Sequence, residues 1–188
     1  DYTICYYRQD FGRLNADKDS YGVPRSKSIQ TTPAHQLALA AVYYSPLQYM
    51  YWYDKPSDSQ DEPELKFFDD VYTTWDDTKV LQGEVGEFIT IARRKGEEWF
   101  IGSITNNEKR VLSVSLDFLP EGKNYIAEIY TDGDKSVKTR TKVRVSTYRV
   151  SNKTKLNFCL KASGGGAVRL VPDDGNIKSV KNYKQQRL

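Results

Sequence analysis

From residue 88 to residue 171 the chain alternates between apolar and polar positions. The clearest run is RVLSVSLDF, where Leu112, Val114, Leu116 and Phe118 share one side while Ser113, Ser115 and Asp117 share the other. Successive side chains of a strand point to opposite faces, so this pattern predicts a half-buried antiparallel strand. FITIARR, EWFIGSIT, NYIAEIYTD, SVKTRTKVRV, TKLNFCL and GAVRLV also read as strands, bringing the predicted total to seven. Between the runs lie RKGEE, NNE, PEGKN, DGDK, SNKT and SGGG, rich in residues that favour tight turns. Short strands with regular turns predict an antiparallel β-sandwich over residues 79–175.

The N-terminal part has another texture. Residues 8–31 are polar and turn-rich and predict a long loop. TTPAHQLALAAVYY then reads as a helix. Thr32 serves as its N-cap, and Pro33 fits the first helical position, where its missing N–H is not needed. Leu37, Ala41 and Tyr44 recur at helical spacing, and Ser45-Pro46 ends the helix. PLQYMYWY predicts a short strand and DKPSDSQDEPE a loop. PELKFFDDVY predicts a short helix that starts at Pro63 and turns Leu65, Phe68 and Val71 to one side. Helix, strand, loop and helix in this order match the last units of a β/α barrel. The change of texture near residue 78 marks a domain boundary, with residues 1–78 before it. Residues 176–188 carry cations and no acid, and predict a frayed basic tail.

Composition narrows the classes. The 188 residues suffice for one domain or two small ones, and 13% aromatic residues with 14 tyrosines argue against disorder. A net charge of +3 is too small to imply a nucleic-acid partner. No apolar run reaches the roughly 20 residues of a membrane span; the longest, LALAAVYYSPLQYMYWY, is broken by Ser45, Pro46 and Gln48. The two cysteines, Cys5 and Cys159, show no zinc-binding spacing, and leave open both a long-range disulfide and the redox compartment. The chain opens at DYTICYY without an initiating Met, which reads as a piece of something longer.

Candidate chemistry is sparse. In TTWDDT, Asp76 and Asp77 stand beside Trp75. A glycoside-cleaving pair needs carboxylates roughly 5 to 10 Å apart, normally from different elements. Adjacent residues diverge on a strand or a helix, so the stretch reads instead as a turn at the domain junction, with Trp75 packed beneath. His35 is the sole histidine, has no nucleophile signature nearby and reads as a helix-end or inter-element hydrogen-bonding group. Glu84 and Glu87 read as exposed charges at a strand entry, and SGGG at 163–166 lacks the Lys-Ser/Thr of a phosphate loop. NKT at 152–154 fits a glycosylation acceptor. If PLQYMYWY is a barrel strand, Tyr53 and Asp54 lie at its C-terminal mouth, where barrel active sites are built. The other reading of Asp54 is the start of the DKP turn or a helix cap. By the same logic Asp1 and Tyr2 lie at the mouth of the preceding strand.

TTPAHQLALAAVYYSPLQ, DKP, FFDDVYTTWDDTKVLQGEVGEFITIARRKGEEWFIGSITN, LDFLPEGKNYIAEIYTDG and GGGAVRLVP, in that order, resemble glycoside hydrolase family 97. The likeness runs over about residues 31–172. It implies an α-glucosidase or α-galactosidase that depends on calcium, built from an N-terminal β-sandwich, a central (β/α)8 barrel and a C-terminal antiparallel β-domain that joins subunits. It also implies that the catalytic glutamates and the calcium ligands lie upstream of DYT, so that no catalytic and no metal-binding residue is expected in this chain. DYT resembles the start of a family motif but continues ICYY, and the 8–31 segment departs from the family's spacing.

The expected fold is therefore an α+β fragment, the last β/α units of a (β/α)8 barrel followed by an antiparallel β-sandwich domain. Its expected partners are an α-glycoside substrate and further copies of itself. The resemblance also implies the periplasm or cell envelope of a bacterium. The alternative is a free-standing carbohydrate-binding or interaction module, which exposed aromatics on one sandwich face would favour.

Overall fold

A computed structural model describes residues 2–3, 31–49, 62–176 and 179–184. The elements are β1 (Tyr2–Thr3), α1 (Pro33–Val42), β2 (Gln48–Tyr49), a 3₁₀ turn (Pro63–Leu65) and α2 (Lys66–Asp70). Eight strands follow: β3 (Asp77–Glu84), β4 (Phe88–Lys95), β5 (Glu98–Thr105), β6 (Arg110–Ser115), β7 (Asn124–Asp132), β8 (Val143–Ser151), β9 (Lys155–Leu160) and β10 (Gly165–Pro172).

Three layers result. The middle one is a six-stranded antiparallel sheet in the order β3-β4-β5-β10-β7-β8. The two-stranded sheet β6-β9 packs on one face, with Ile101, Leu116, Leu156, Phe158 and Leu170 in the core between them. On the other face α1 and α2 enclose a second core of Leu37, Phe67, Phe100, Tyr130 and Ala167. Phe100 and Ile101 therefore point into different cores, as do Ala167 and Val168. This explains why EWFIGSIT and GAVRLV read as continuous apolar runs: strands buried on both faces lose their alternation.

The structure departs from the sequence reading in specific places. The sequence reading began its strands at Phe88, whereas the sheet begins with β3 at Asp77. β3 lies at the sheet edge, and its register shifts between Val80 and Gln82, so a bulge erases the alternation that would have revealed it. The strand predicted over 136–145 starts only at Val143 and runs to Ser151. Its register is set by β7, where Asp132 pairs with Val143 and Asn124 with Ser151. On the short helix α2 the fully buried side chain is Phe67, with Leu65, Phe68 and Val71 packed partly buried around it. Phe67 meets Phe100 at 6.0 Å and Tyr130 at 5.3 Å, both edge-on.

Residues 179–184, expected to fray, run beside β8 instead. Arg149 donates its N–H to the Lys181 carbonyl, and Tyr183 donates to the Arg149 carbonyl, each at 2.9 Å. Of the strand predicted over PLQYMYWY, Gln48–Tyr49 pairs in parallel with Tyr2–Thr3, and residues 50–53 lie outside the described residues. So does most of the loop predicted over 8–31.

Candidate functional site

The candidate site is the joint where α1 and α2 meet the large sheet. Helix α1 lies close against β5 and β10 because both strands carry a glycine there. A Cβ on Gly102 would stand 2.5 Å from the Ala38 carbonyl oxygen, and one on Gly165 would stand 2.5 Å from the His35 Cα. Backbone thus touches backbone, and every residue from Ala34 to Val42 is buried.

Both ends of α1 are clamped by the sheet. At the N-terminus, Thr32 caps the helix: its Oγ1 accepts from the His35 N–H at 3.2 Å. Thr32 also donates its own N–H to the Ser163 carbonyl at 3.0 Å. His35 Nδ1 hydrogen-bonds the Gly164 carbonyl at 3.1 Å, which makes Nδ1 the protonated nitrogen. Burial lowers the imidazole pKa, opposed by the Gly164 carbonyl and Asp132. The Asp132 carboxylate in turn holds the SGGG turn, accepting from the N–H groups of Lys161 at 2.9 Å and Gly165 at 3.2 Å.

At the C-terminus, Arg93 of β4 inserts beneath the last turn. Its Nε donates to the Ala41 carbonyl at 2.5 Å, and Nη2 donates to the Val42 carbonyl at 2.9 Å. Nη1 donates to Thr78 Oγ1 at 2.8 Å, and the guanidinium lies 5.4 Å from the Tyr44 ring centroid. A cation at the orphan carbonyls of a helix end answers both their lone pairs and the helix dipole. Helix α2 is tied down by a second arginine. Arg169 bridges Asp70 of α2 at 2.7 Å, Glu98 of β5 at 2.9 Å and Glu128 of β7 at 3.6 Å. Lys66 joins Asp70 and Glu128 from the helix side.

Beyond α2 the chain crosses into the sheet through TTWDDT. Trp75 packs on Phe100 at 5.5 Å and Tyr72 at 6.3 Å. Asp76 accepts from the Gly96 N–H at 2.8 Å and from Lys95 at 3.2 Å. That backbone N–H, then Lys95, holds its carboxyl below the usual carboxylate range. Asp77 is the first residue of β3, accepts from the Thr78 N–H at 2.8 Å and faces Lys79 at 3.5 Å. The two carboxylates are thus committed to different local partners.

Of the other candidates, Tyr2 is described only as backbone paired with Gln48, while Asp1, Tyr53 and Asp54 lie outside the described residues. Glu84 and Glu87 flank the turn between β3 and β4, and Glu87 pairs with Arg110 at 2.7 Å. Asn152 lies in the turn between β8 and β9, and Cys159 is a free, exposed thiol. Among the described residues no group of three or more His, Cys, Asp or Glu could hold a metal ion. What the sequence reading missed is the role of Arg93 and Arg169. The signal was present: Arg169 is a lone cation in an otherwise apolar strand, and Arg93 shares a face with Ile91.

The family described as Glycosyl-hydrolase 97 C-terminal, oligomerisation matches residues 74–171, just over half of the 188. The chain belongs to glycoside hydrolase family 97. The match takes in Trp75, Asp76, Asp77 and every strand from β3 to β9. A relative over a longer stretch is the retaining alpha-galactosidase of Bacteroides thetaiotaomicron, 34% identical over 180 residues, which make up 90% of this chain and 27% of that protein. A glycoside hydrolase family 97 enzyme from Pseudoalteromonas sp. strain K8, solved with acarbose, superposes with a TM-score of 0.74 at 33% identity. That superposition takes in 90% of this chain and 26% of the enzyme. A beta-arabinopyranosidase shares the fold at a TM-score of 0.61 and 23% identity, over 83% of this chain and 24% of that one. This family 97 chain spans about a quarter of the length of these relatives.

Proposed function

We propose that the chain is the C-terminal portion of an exo-acting α-glycosidase and that its β-domain buttresses a catalytic barrel and joins subunits. The observation that carries this is the 34% identity to a retaining alpha-galactosidase over 90% of the chain. Two structural features support it. β1 and β2 run parallel with α1 between them in sequence, the order of a β/α unit. Trp75 Nε1 is buried without an acceptor among the described residues, and a buried N–H is rarely left so; a preceding barrel would supply the partner.

In this reading the longer polypeptide protonates the glycosidic oxygen with one carboxylic acid, while a second carboxylate attacks or activates water. The described residues contribute positioning. Arg93, His35 and Arg169 lock α1 and α2 to a stiff sheet, which steadies the end of the barrel; Tyr53 and Asp54 are assigned to the barrel mouth by the sequence reading alone. Calcium is implied by the resemblance alone; the described carboxylates do not converge as a calcium site. The open edge of β3, with Val80 and Val85 exposed, offers a face for joining copies. We place the protein in a bacterial periplasm or cell envelope on the same resemblance.

The test compares the complete polypeptide with the 188-residue chain on aryl α-glucosides and α-galactosides, with and without calcium. The complete polypeptide is expected to turn over one of these substrates, and the chain alone none. Turnover by the chain itself, free of contaminants, would place catalytic groups within it and refute the reading.

A further inference from the structure

Where one sheet packs on another, the facing side chains are normally apolar. One end of β7 and β8 breaks this rule. On the face turned toward β6-β9, register places Ala127 beside Tyr148, Ile129 beside Ser146 and Thr131 beside Arg144. Sheet β6-β9 has only two strands, and β9 packs against β7 and β10, so the inward face of β8 stays open. A groove results, formed by adjoining cavities of 710 and 560 Å³ that share Thr131, Arg144, Ser146, Tyr148 and Asn157. Its wall is β9, which pairs with β6 on one side only. Its far end is closed by the C-terminal segment: the Tyr183 hydroxyl accepts from the Asn157 N–H at 3.0 Å, and its ring meets Tyr148 edge-on at 5.4 Å.

The chemistry of this groove is specific. The hydroxyls of Thr131, Ser146 and Tyr148 have no hydrogen-bond partner among the described residues, although all three residues are half-buried. At one end Arg144 is held by Asp134 at 2.9 Å and by Ser136 Oγ at 3.0 Å, through a single nitrogen, and keeps other donors for a ligand. A row of unpaired neutral hydroxyls along a tyrosine, with an anchored guanidinium at its end, matches a molecule with hydroxyls on its rim and C–H groups on its face. The geometry points to a saccharide-binding groove in which an uncharged oligosaccharide lies along β8, its pyranose rings against Tyr148 and its hydroxyls on Thr131, Ser146 and Arg144. An extended peptide added to the open edge of β9 is the competing occupant, but it would use backbone groups and leave these hydroxyls unmatched.

Cys159 lies in the groove wall and provides the probe. In the full chain carrying Cys5→Ser it is the remaining thiol. Its rate of maleimide alkylation is measured with maltotetraose, with stachyose and with extended peptides, alongside calorimetric titration. Saturable binding of one of the oligosaccharides is expected, with Cys159 protected in parallel. Tyr148→Ala is expected to weaken binding about tenfold, roughly the contribution of one aromatic contact. Ser146→Val, which fills the floor at a half-buried position beside Ile129 and removes the hydroxyl, should weaken it too and decides the matter if Tyr148→Ala does not fold. No saturable binding, binding unchanged in Ser146→Val, or protection of Cys159 by peptides alone would overturn the proposal. Because binding is read without hydrolysis, an inactive polypeptide with a working groove, or the reverse, separates this inference from the glycosidase reading.

Discussion

Replacing Arg93 by methionine tests whether the sheet holds α1 through its C-terminus. Methionine keeps much of the apolar stem and removes the donors. The Ala41 and Val42 carbonyls then lose partners at 2.5 and 2.9 Å, in a place where Arg93 is only 5% exposed. A buried acceptor left unpaired costs about 1–3 kcal/mol. Returning the guanidinium to water offsets part of that, because no carboxylate among the described residues partners it and its burial was itself costly. The net expectation is a loss of about 3 kcal/mol, a large share of the stability of an ordinary domain. Arg93→Lys should recover only part of it, since one ammonium cannot span both carbonyls in the fixed geometry of a guanidinium fork. Urea unfolding followed by tryptophan fluorescence measures both variants, with an unchanged m-value as the control for a shared unfolded state. A methionine variant within about 0.5 kcal/mol of the wild type, or a lysine variant equal to it, would refute the clamp.

Further outcomes are expected. The folded pKa of His35 lies below its ordinary 6.5 because of burial, so the unfolded chain takes up this proton first as pH falls. Its contribution is complete above about pH 6.5 and declines below that toward the folded pKa; urea midpoints from pH 8 to 5 should fall more steeply in the wild type than in His35→Gln. Gly102→Ala forces a Cβ to 2.5 Å from the Ala38 carbonyl and should cost about 1–3 kcal/mol in the same assay. Arg169→Met leaves Asp70 and Glu128 with Lys66 as their near cation and takes from Glu98 its ion-pair partner, and should cost about 2 kcal/mol, moderated by their partial exposure. Val80→Lys with Val85→Lys, at positions 67% and 100% exposed, should leave stability within about 0.5 kcal/mol while lowering the mass seen by light scattering. An unchanged mass would move the subunit interface off the β3 edge.

How much of this could be read in the chain differs from element to element. RVLSVSLDF gave its inward face correctly because β6 is covered on one side only, and Leu112, Val114 and Leu116 are buried as the alternation requires. α1 was legible from Thr32, Pro33 and its spacing, since capping and proline geometry are local effects. β3 was not legible, because a bulged edge strand carries no clean period. Phe67 was missed because a helix of one turn has too few positions to define a face. The C-terminal segment 179–184 has the composition of a solvated tail and docks only because Arg149 offers the edge of β8.

The sequence by itself determined most of the elements, their turns and, through ordered motifs, the family. Those are properties of neighbours along the chain. Tertiary structure alone decided which faces are covered. It set Arg93 and Arg169 against helices that lie far from them in sequence, and chose glycine at the two places where α1 touches the sheet. It also left β8 open toward a sheet only two strands wide. The physical reason is that burial and the pairing of polar groups depend on distant segments meeting, and no local pattern encodes which distant segment arrives.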